Sequence, residues 1–174
     1  MSPSEREQLF KTWLEQHKAI IFRIARAQAV TAEDQADLCQ EILLQLWLSI
    51  PRFQGKSSVS TWVYRVAMNA SLAWSRTEKK RRHLHQPLSA FSEIPDPGGE
   101  SYSTAQNNRM VERLYAEVRK LAPADRSVVL LYLDQMSYRE MAEILGISPD
   151  NVGVRLNRIK KRLCESLGGT ADGS

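Results

Sequence analysis

The stretch Ser137–Leu163, SYREMAEILGISPDNVGVRLNRIKKRL, decides how this chain is read. Ser137 with Glu140 three residues on is a capping box, whose hydroxyl and carboxylate satisfy orphan amides at a helix start. Met141, Ala142, Ile144 and Leu145 supply an apolar face, with Ala142 small where two helices approach. Gly146 suits the left-handed residue that ends a helix. Ser148, Pro149 and Asp150 form a second helix start: a cap, a residue pre-set for the first turn, and a charge favoured at the positive dipole end. Val152, Leu156, Ile159 and Leu163 then recur at helical spacing, while Arg155, Arg158 and Arg162 lie on another face. Two helices joined by a tight turn, the second rich in cations, form the pattern of a helix-turn-helix whose second helix enters the DNA major groove. An ordinary helical hairpin with a solvated basic face carries the same charges. Against it stands the agreement of cap, turn and period signals.

Working outward, nearly every periodic segment has helical spacing. Ser4 with Glu7 reads as a capping box ahead of Leu9, Trp13, Ile20, Ile21 and Ile24. Thr31 with Asp34 opens a second helix carrying Leu38, Ile42, Leu46, Trp47 and Ile50, which Pro51 ends. Arg52–Ser58, containing Gly55, reads as a loop. A third helix starts near Ser60, buries Val63, Val66, Ala67, Ala70 and Trp74, and runs into a basic cluster. Gln86–Ala105 holds three prolines, two glycines and five serines or threonines, a composition that holds no core and reads as a linker. Met110, Val111, Leu114, Val118 and Leu121 mark another amphipathic helix. Pro123 opens the next, with Val128, Val129, Tyr132 and Leu133; Ser127–Leu133 is the one run ambiguous with a strand. The expected fold is all-α: residues 1–85 and 106–174 as two small helical bundles, joined by an acidic flexible linker over 86–105.

The 174 residues carry a formal net charge of +4, unevenly spread. Arg76–His85 and Arg155–Leu163 are basic; Gln86–Asn108 contains acids and no lysine or arginine until Arg109. Two cationic patches about an acidic spacer suggest two contacts with a polyanion, although cations near helix C-termini also simply complement the dipole. No apolar run approaches a membrane span. Met1–Arg6 leads straight into a capped helix rather than a signal peptide, so the expectation is a cytoplasmic chain with no membrane insertion. Cys39 and Cys164 have no metal or redox spacing and read as reduced thiols, Cys39 as a small core residue. No phosphate loop, HExxH, cysteine–histidine set or nucleophile elbow is present. His17, His83 and His85 do not form a site, so the expectation is neither an enzyme nor a cofactor or metal binder.

Two blocks carry a family resemblance. DLCQEILLQLW (Asp37–Trp47), followed by RFQGKSSVSTWVYRVAMNASLAW (Arg52–Trp74), resembles sigma region 2. LAPADRSVVLLYLDQMSYREMAEILGISPDNVGVRLNRIKKRL (Leu121–Leu163) resembles sigma region 4. Their order and spacing are similar to the extracytoplasmic-function class of bacterial RNA polymerase sigma factors. The resemblance implies a non-catalytic subunit that binds core polymerase, recognises promoter −35 and −10 elements and promotes melting, and it implies an anti-sigma partner. It places Asp37, Gln40 and Glu41 against polymerase; on charge alone that acidic stripe would be a solvated face. It assigns the −10 contacts, including the unpaired non-template strand, to Trp62, Arg65, Asn69, Arg76, Lys79 and Lys80. Aromatics beside cations suit single strands, since bases stack on rings while phosphates meet cations; Trp74 reads as core ahead of base contact, and Trp62 is open between the two. It assigns the −35 duplex to Asn151, Val154, Arg155, Arg158 and Arg162, with Arg162, Lys160 and Lys161 on the backbone. Arginine suits guanine and asparagine suits adenine. Gly153 departs from the polar or basic residue many relatives carry there. It either permits close backbone approach or weakens the helix. Two rival readings use the same motif: a dimeric regulator that binds DNA alone, and a sigma mimic that only titrates an inhibitor.

Overall fold

The computed structural model of the chain describes residues 2–84 and 102–167, with side chains over 2–78 and 109–166. It contains α1 (Pro3–Gln28), α2 (Ala32–Ser49), a 3-10 turn (Ile50–Arg52), α3 (Val59–Leu84), α4 (Tyr102–Arg119), α5 (Pro123–Leu133), α6 (Tyr138–Leu145) and α7 (Pro149–Leu167). No strand occurs among the described residues, and the ambiguous run 127–133 is helix. No described helix is long and apolar enough to cross a membrane. The segment read as a linker, 86–105, lies outside the described residues as far as 101; α4 begins at Tyr102, inside that segment.

Local chemistry explains most boundaries. The first cap sits two residues earlier than Ser4–Glu7: Pro3 takes the first helical position and Ser2 becomes the cap. Its hydroxyl accepts from the Glu5 amide at 3.2 Å while the Glu5 carboxylate accepts from the Ser2 amide at 2.5 Å. Glu7 instead pairs with Lys11 one turn on at 2.7 Å. Thr31 caps α2 through the Asp34 amide at 3.1 Å, and Ser58 accepts from the Thr61 amide at 3.0 Å at the start of α3. Gly146 ends α6 with φ +67°, the left-handed conformation expected of it.

Helices α1, α2 and α3 pack on one another around Trp13, Ile24, Leu38, Ile42, Leu46, Val63 and Ala67. Helices α4–α7 form a second cluster around Val118, Val128, Leu131, Met141, Val152, Leu156 and Ile159. Several expected core residues face outward instead. On α4, Met110 is 71% exposed and Val111 is also exposed; on α5, Leu133 is 49% exposed and Tyr132 is exposed too, because Leu130 and Leu131 take the inward face of that helix. Val66, Trp74 and Cys39 are half-buried against the core, and burial raises the Cys39 thiol pKa.

The two clusters are not independent beads. Helix α1 packs on α4 and α5, and α3 packs on α5 and α6. Polar groups lock this interface. The Gln28 amide donates to Pro123 O and Ser127 Oγ, each at 3.2 Å. Arg126 donates to Gln28 O at 3.0 Å, and to Leu121 O and Arg119 O at its own corner. The buried Tyr64 hydroxyl donates to Asp134, which also meets Arg23 at 3.1 Å. Arg26 pairs with Glu112, and Arg65 with Glu143 at 2.8 Å.

Candidate nucleic-acid interface

Three faces carry the residues singled out in the sequence. On α7, Asn151, Val154, Arg155, Arg158 and Arg162 recur at three- and four-residue steps and form one stripe. It lies away from Val152, Leu156 and Ile159, which are at most 2% exposed. Val154 is 69% exposed. Two of its three arginines are paired: Arg155 Nε donates to Asn151 Oδ1 at 3.0 Å, and Arg158 Nη2 reaches both carboxylate oxygens of Asp125 at 3.3 and 3.2 Å. The Asn151 carbonyl is thus already engaged from its own helix. Lys160 lies off the stripe, its ammonium 4.2 Å above the Tyr132 ring. A side-chain hydrogen bond to Tyr132 raises its pKa, and the ring contact turns it toward α5 rather than along the arginine line.

Gly153 faces the Tyr138 ring of α6. A Cβ there would stand 3.4 Å from that ring, at the edge of ordinary contact, so packing does not require glycine. Alanine fits without a clash. Gly153→Ala is therefore expected to stabilise the chain by up to about 1 kcal/mol through helix propensity. Chemical denaturation checks this, and a fall in midpoint would show that the Tyr138 contact cannot yield.

On α3, Trp62, Arg65, Asn69 and Arg76 follow steps of three, four and seven and share a stripe. Asn69 and Arg76 are exposed. The side chains of Lys79 and Lys80 lie outside the described residues. Trp62 is tied down on one side: its indole N–H donates to Ser49 Oγ at 3.0 Å. Its ring packs at 61° on Phe53 with centroids 5.5 Å apart, and Phe53 in turn meets Trp13. The other side of Trp62 lines a cavity of about 130 Å³, shared with Arg52, Phe53, Lys56, Arg65 and Glu143. A void of roughly 150 Å³ is enough for a benzene ring, so this cavity matches one planar ring in size. Three of its walls are cationic, and Arg65 Nε is buried with no hydrogen-bond partner among the described residues. Phe53, Arg52 and Lys56 were not singled out in the sequence. Their loop position flanking Gly55, at φ +69°, is the one local signal that the chain turns back on α3 there. Glu143, which stands at the cavity from α6, had no signal at all.

On α2, Asp37 and Gln40 are exposed and Glu41 half-buried, accepting from Gln45 at 2.9 Å. The same stripe continues into Leu44 and Leu48, 50% and 49% exposed. An acidic patch that runs into uncovered leucines differs from the solvated charged face that composition alone suggested. No group of histidine, cysteine or carboxylate side chains that could hold a metal occurs among the described residues.

Two family models match the chain, one over each helical cluster. The model for Sigma-70 region 2 matches residues 5–81, and that for Sigma-70 region 4 matches residues 111–163. The chain is 30% identical over 143 residues to the RNA polymerase sigma factor YlaC of Bacillus subtilis, covering 78% of each. It is 25% identical over 158 residues to the ECF RNA polymerase sigma factor SigW of the same organism, covering 87% of this chain and 84% of that one. Among solved structures, it resembles the sigma factor RpoE in complex with the anti-sigma factor NepR from Bartonella quintana. There the TM-score is 0.72 at 18% identity, over 94% of this chain and 98% of that one. It also resembles CnrH in complex with the cytosolic domain of CnrY, with a TM-score of 0.65 at 20% identity, over 96% of this chain and 91% of that one.

Proposed function

The chain belongs to the extracytoplasmic-function class of bacterial RNA polymerase sigma factors, and we propose that its three faces divide the work of promoter opening between them. A sigma factor is a non-catalytic subunit that acts in transcription initiation. In this reading the α2 stripe of Asp37, Gln40, Glu41, Leu44 and Leu48 docks on core polymerase, its acids setting orientation and its leucines losing water on contact. The α7 stripe of Asn151, Val154, Arg155, Arg158 and Arg162 reads the −35 duplex. The α3 stripe takes the unpaired non-template strand of the −10 element, with Arg76, Lys79 and Lys80 on phosphates.

The observation that carries the reading is the cavity beside Trp62 and Arg65. It adjoins the Asn69–Arg76 stripe, has the size of one ring and is bordered by Arg52, Lys56 and Arg65. Extruding a base from the duplex costs a few kcal/mol. A ring-sized recess among cations offsets that cost by stacking the base while its phosphates meet positive charge. In the closed chain Glu143 stands at this cavity, bonded to Arg65. A strand that uses Arg65 competes with the Glu143 carboxylate for it.

The same reading places the chain in the cytoplasm with the polymerase, under the control of an anti-sigma factor that holds it until release. The likeness to a sigma–anti-sigma complex supports that partner.

Run-off transcription with reconstituted core polymerase tests the assignments. Asn69→Ala and Arg158→Ala are each expected to lower transcript yield about tenfold, the effect of a contact near 1.4 kcal/mol, within the usual range of a base contact. Full activity of both variants would remove the residue assignments while leaving the family untouched.

A further inference from the structure

We propose that Asp125, on the first turn of α5, is a specificity-determining positioning residue for −35 recognition, acting through the two arginines it holds. This rests on the reading of α7 as the −35 helix. Asp125 makes no use of its carboxylate within its own helix; its backbone N–H caps onto Ala122 O at 2.9 Å. Its side chain is 16% exposed and points across to α7. There it meets Arg158 at 3.2 and 3.3 Å and Arg155 Nη1 at 3.8 Å. With Arg155 Nε on Asn151, the four side chains form a chain, Asn151–Arg155–Asp125–Arg158, running across two helices.

Two physical consequences follow from that arrangement. An arginine side chain loses rotamer freedom when it binds, and a guanidinium already fixed against a carboxylate has less to lose. Arg158 meets Asp125 through Nη2, and no partner for its Nε or Nη1 appears among the described residues. The Nε–H and Nη1–H groups, which point to opposite sides of the guanidinium, therefore remain to donate singly to acceptors in the groove. A carboxylate beside the groove also repels phosphate. It weakens sequence-independent association, which is driven by charge, while leaving a correctly placed base contact intact. Asp125 therefore raises the ratio of specific to non-specific binding from both ends. The first turn of α5 also suits the acid electrostatically, at the positive end of the helix dipole.

The test uses the full chain assembled with core polymerase. Affinity is measured for a −35 duplex, for a panel in which each base pair of the element is changed in turn, and for an unrelated duplex. Asp125→Asn is expected to hold or raise affinity for the unrelated duplex. It should cut discrimination at least fivefold at the base pairs where Arg155→Ala or Arg158→Ala also loses it. Asp125→Asn combined with Arg158→Ala should lose no further discrimination at the Arg158 position, the signature of residues acting as one unit. Asp125→Glu, which keeps the charge, should recover part of the ratio. A Asp125→Asn variant that discriminates as well as the parent chain overturns the proposal. So does one that loses specific and unrelated duplex equally, since that is the mark of a purely structural residue. If Arg155→Ala and Arg158→Ala themselves leave discrimination intact, it is the assignment of α7 to the −35 element that fails, and the role of Asp125 falls with it.

Discussion

Replacing Leu156 with alanine is expected to destabilise the α4–α7 cluster by about 2–5 kcal/mol, the usual range for emptying a buried leucine site. Leu156 is 1% exposed and lies on the inward face of α7, the helix that packs on both α5 and α6. A small domain has only about 5–15 kcal/mol of net stability, so this one cavity removes a large share of it. The functional effect follows from geometry: Leu156 sits between Arg155 and Asn157, and its anchorage sets the rotation of α7. Duplex binding should fall together with the thermal midpoint. Arg162→Ala offers the contrast, an exposed change that weakens binding without moving the midpoint. Denaturation monitored by circular dichroism alongside duplex titration separates the two, and a Leu156→Ala chain with the parent midpoint would show that the site collapses without a void.

Removing the Asp134 carboxylate is the second large effect. Asp134 accepts from the Tyr64 hydroxyl and from Arg23, and Tyr64 is 4% exposed at the boundary between the two helical clusters. Asp134→Ala leaves a buried phenol without its acceptor, a cost of about 1–3 kcal/mol concentrated on the boundary rather than on either core. The expected result is a chain that opens: its radius of gyration in small-angle scattering rises while its helix content holds. Asp134→Asn, which keeps an acceptor oxygen, should open less. A compact Asp134→Ala chain would show that the remaining contacts at Gln28, Arg126 and Arg65 suffice to hold the boundary.

The same contact predicts a pH response. Burial, and then the hydrogen bond to Asp134, push the Tyr64 phenol above its ordinary pKa of 10.0. The closed chain therefore favours the neutral phenol. Its contribution is complete below the ordinary phenol pKa and is lost as pH rises past it. Alkaline titration should open the boundary, and Tyr64→Phe should remove that part of the response.

How far the sequence reached depended on the range of the signal. The helix-turn-helix was legible to the residue, because Ser137, Glu140, Gly146 and Ser148 act within one turn of themselves. The stripes on α2, α3 and α7 were legible because a helix repeats its face every three or four residues. Errors came where neighbours competed. Pro3 moved the first cap to Ser2, and Leu130 and Leu131 took the inward face of α5 from Tyr132 and Leu133. Trp62 was open between core and contact; it is half-buried, bonded to Ser49 and packed on Phe53, and it also borders the cavity.

The chain by itself determined seven helices' worth of local instructions, the reading helix and the identity of its exposed side chains, since caps and periodicity are written into adjacent residues. Tertiary structure alone decided what those side chains meet. Tyr64 finds Asp134 across 70 residues, Arg65 finds Glu143 across 78, and Arg158 finds Asp125 across 33. A hydrogen bond between residues so far apart leaves no trace in the spacing of either. It exists because packed helices bring the two groups together, and it is there that the closed boundary, the guarded cavity and the paired arginines arise.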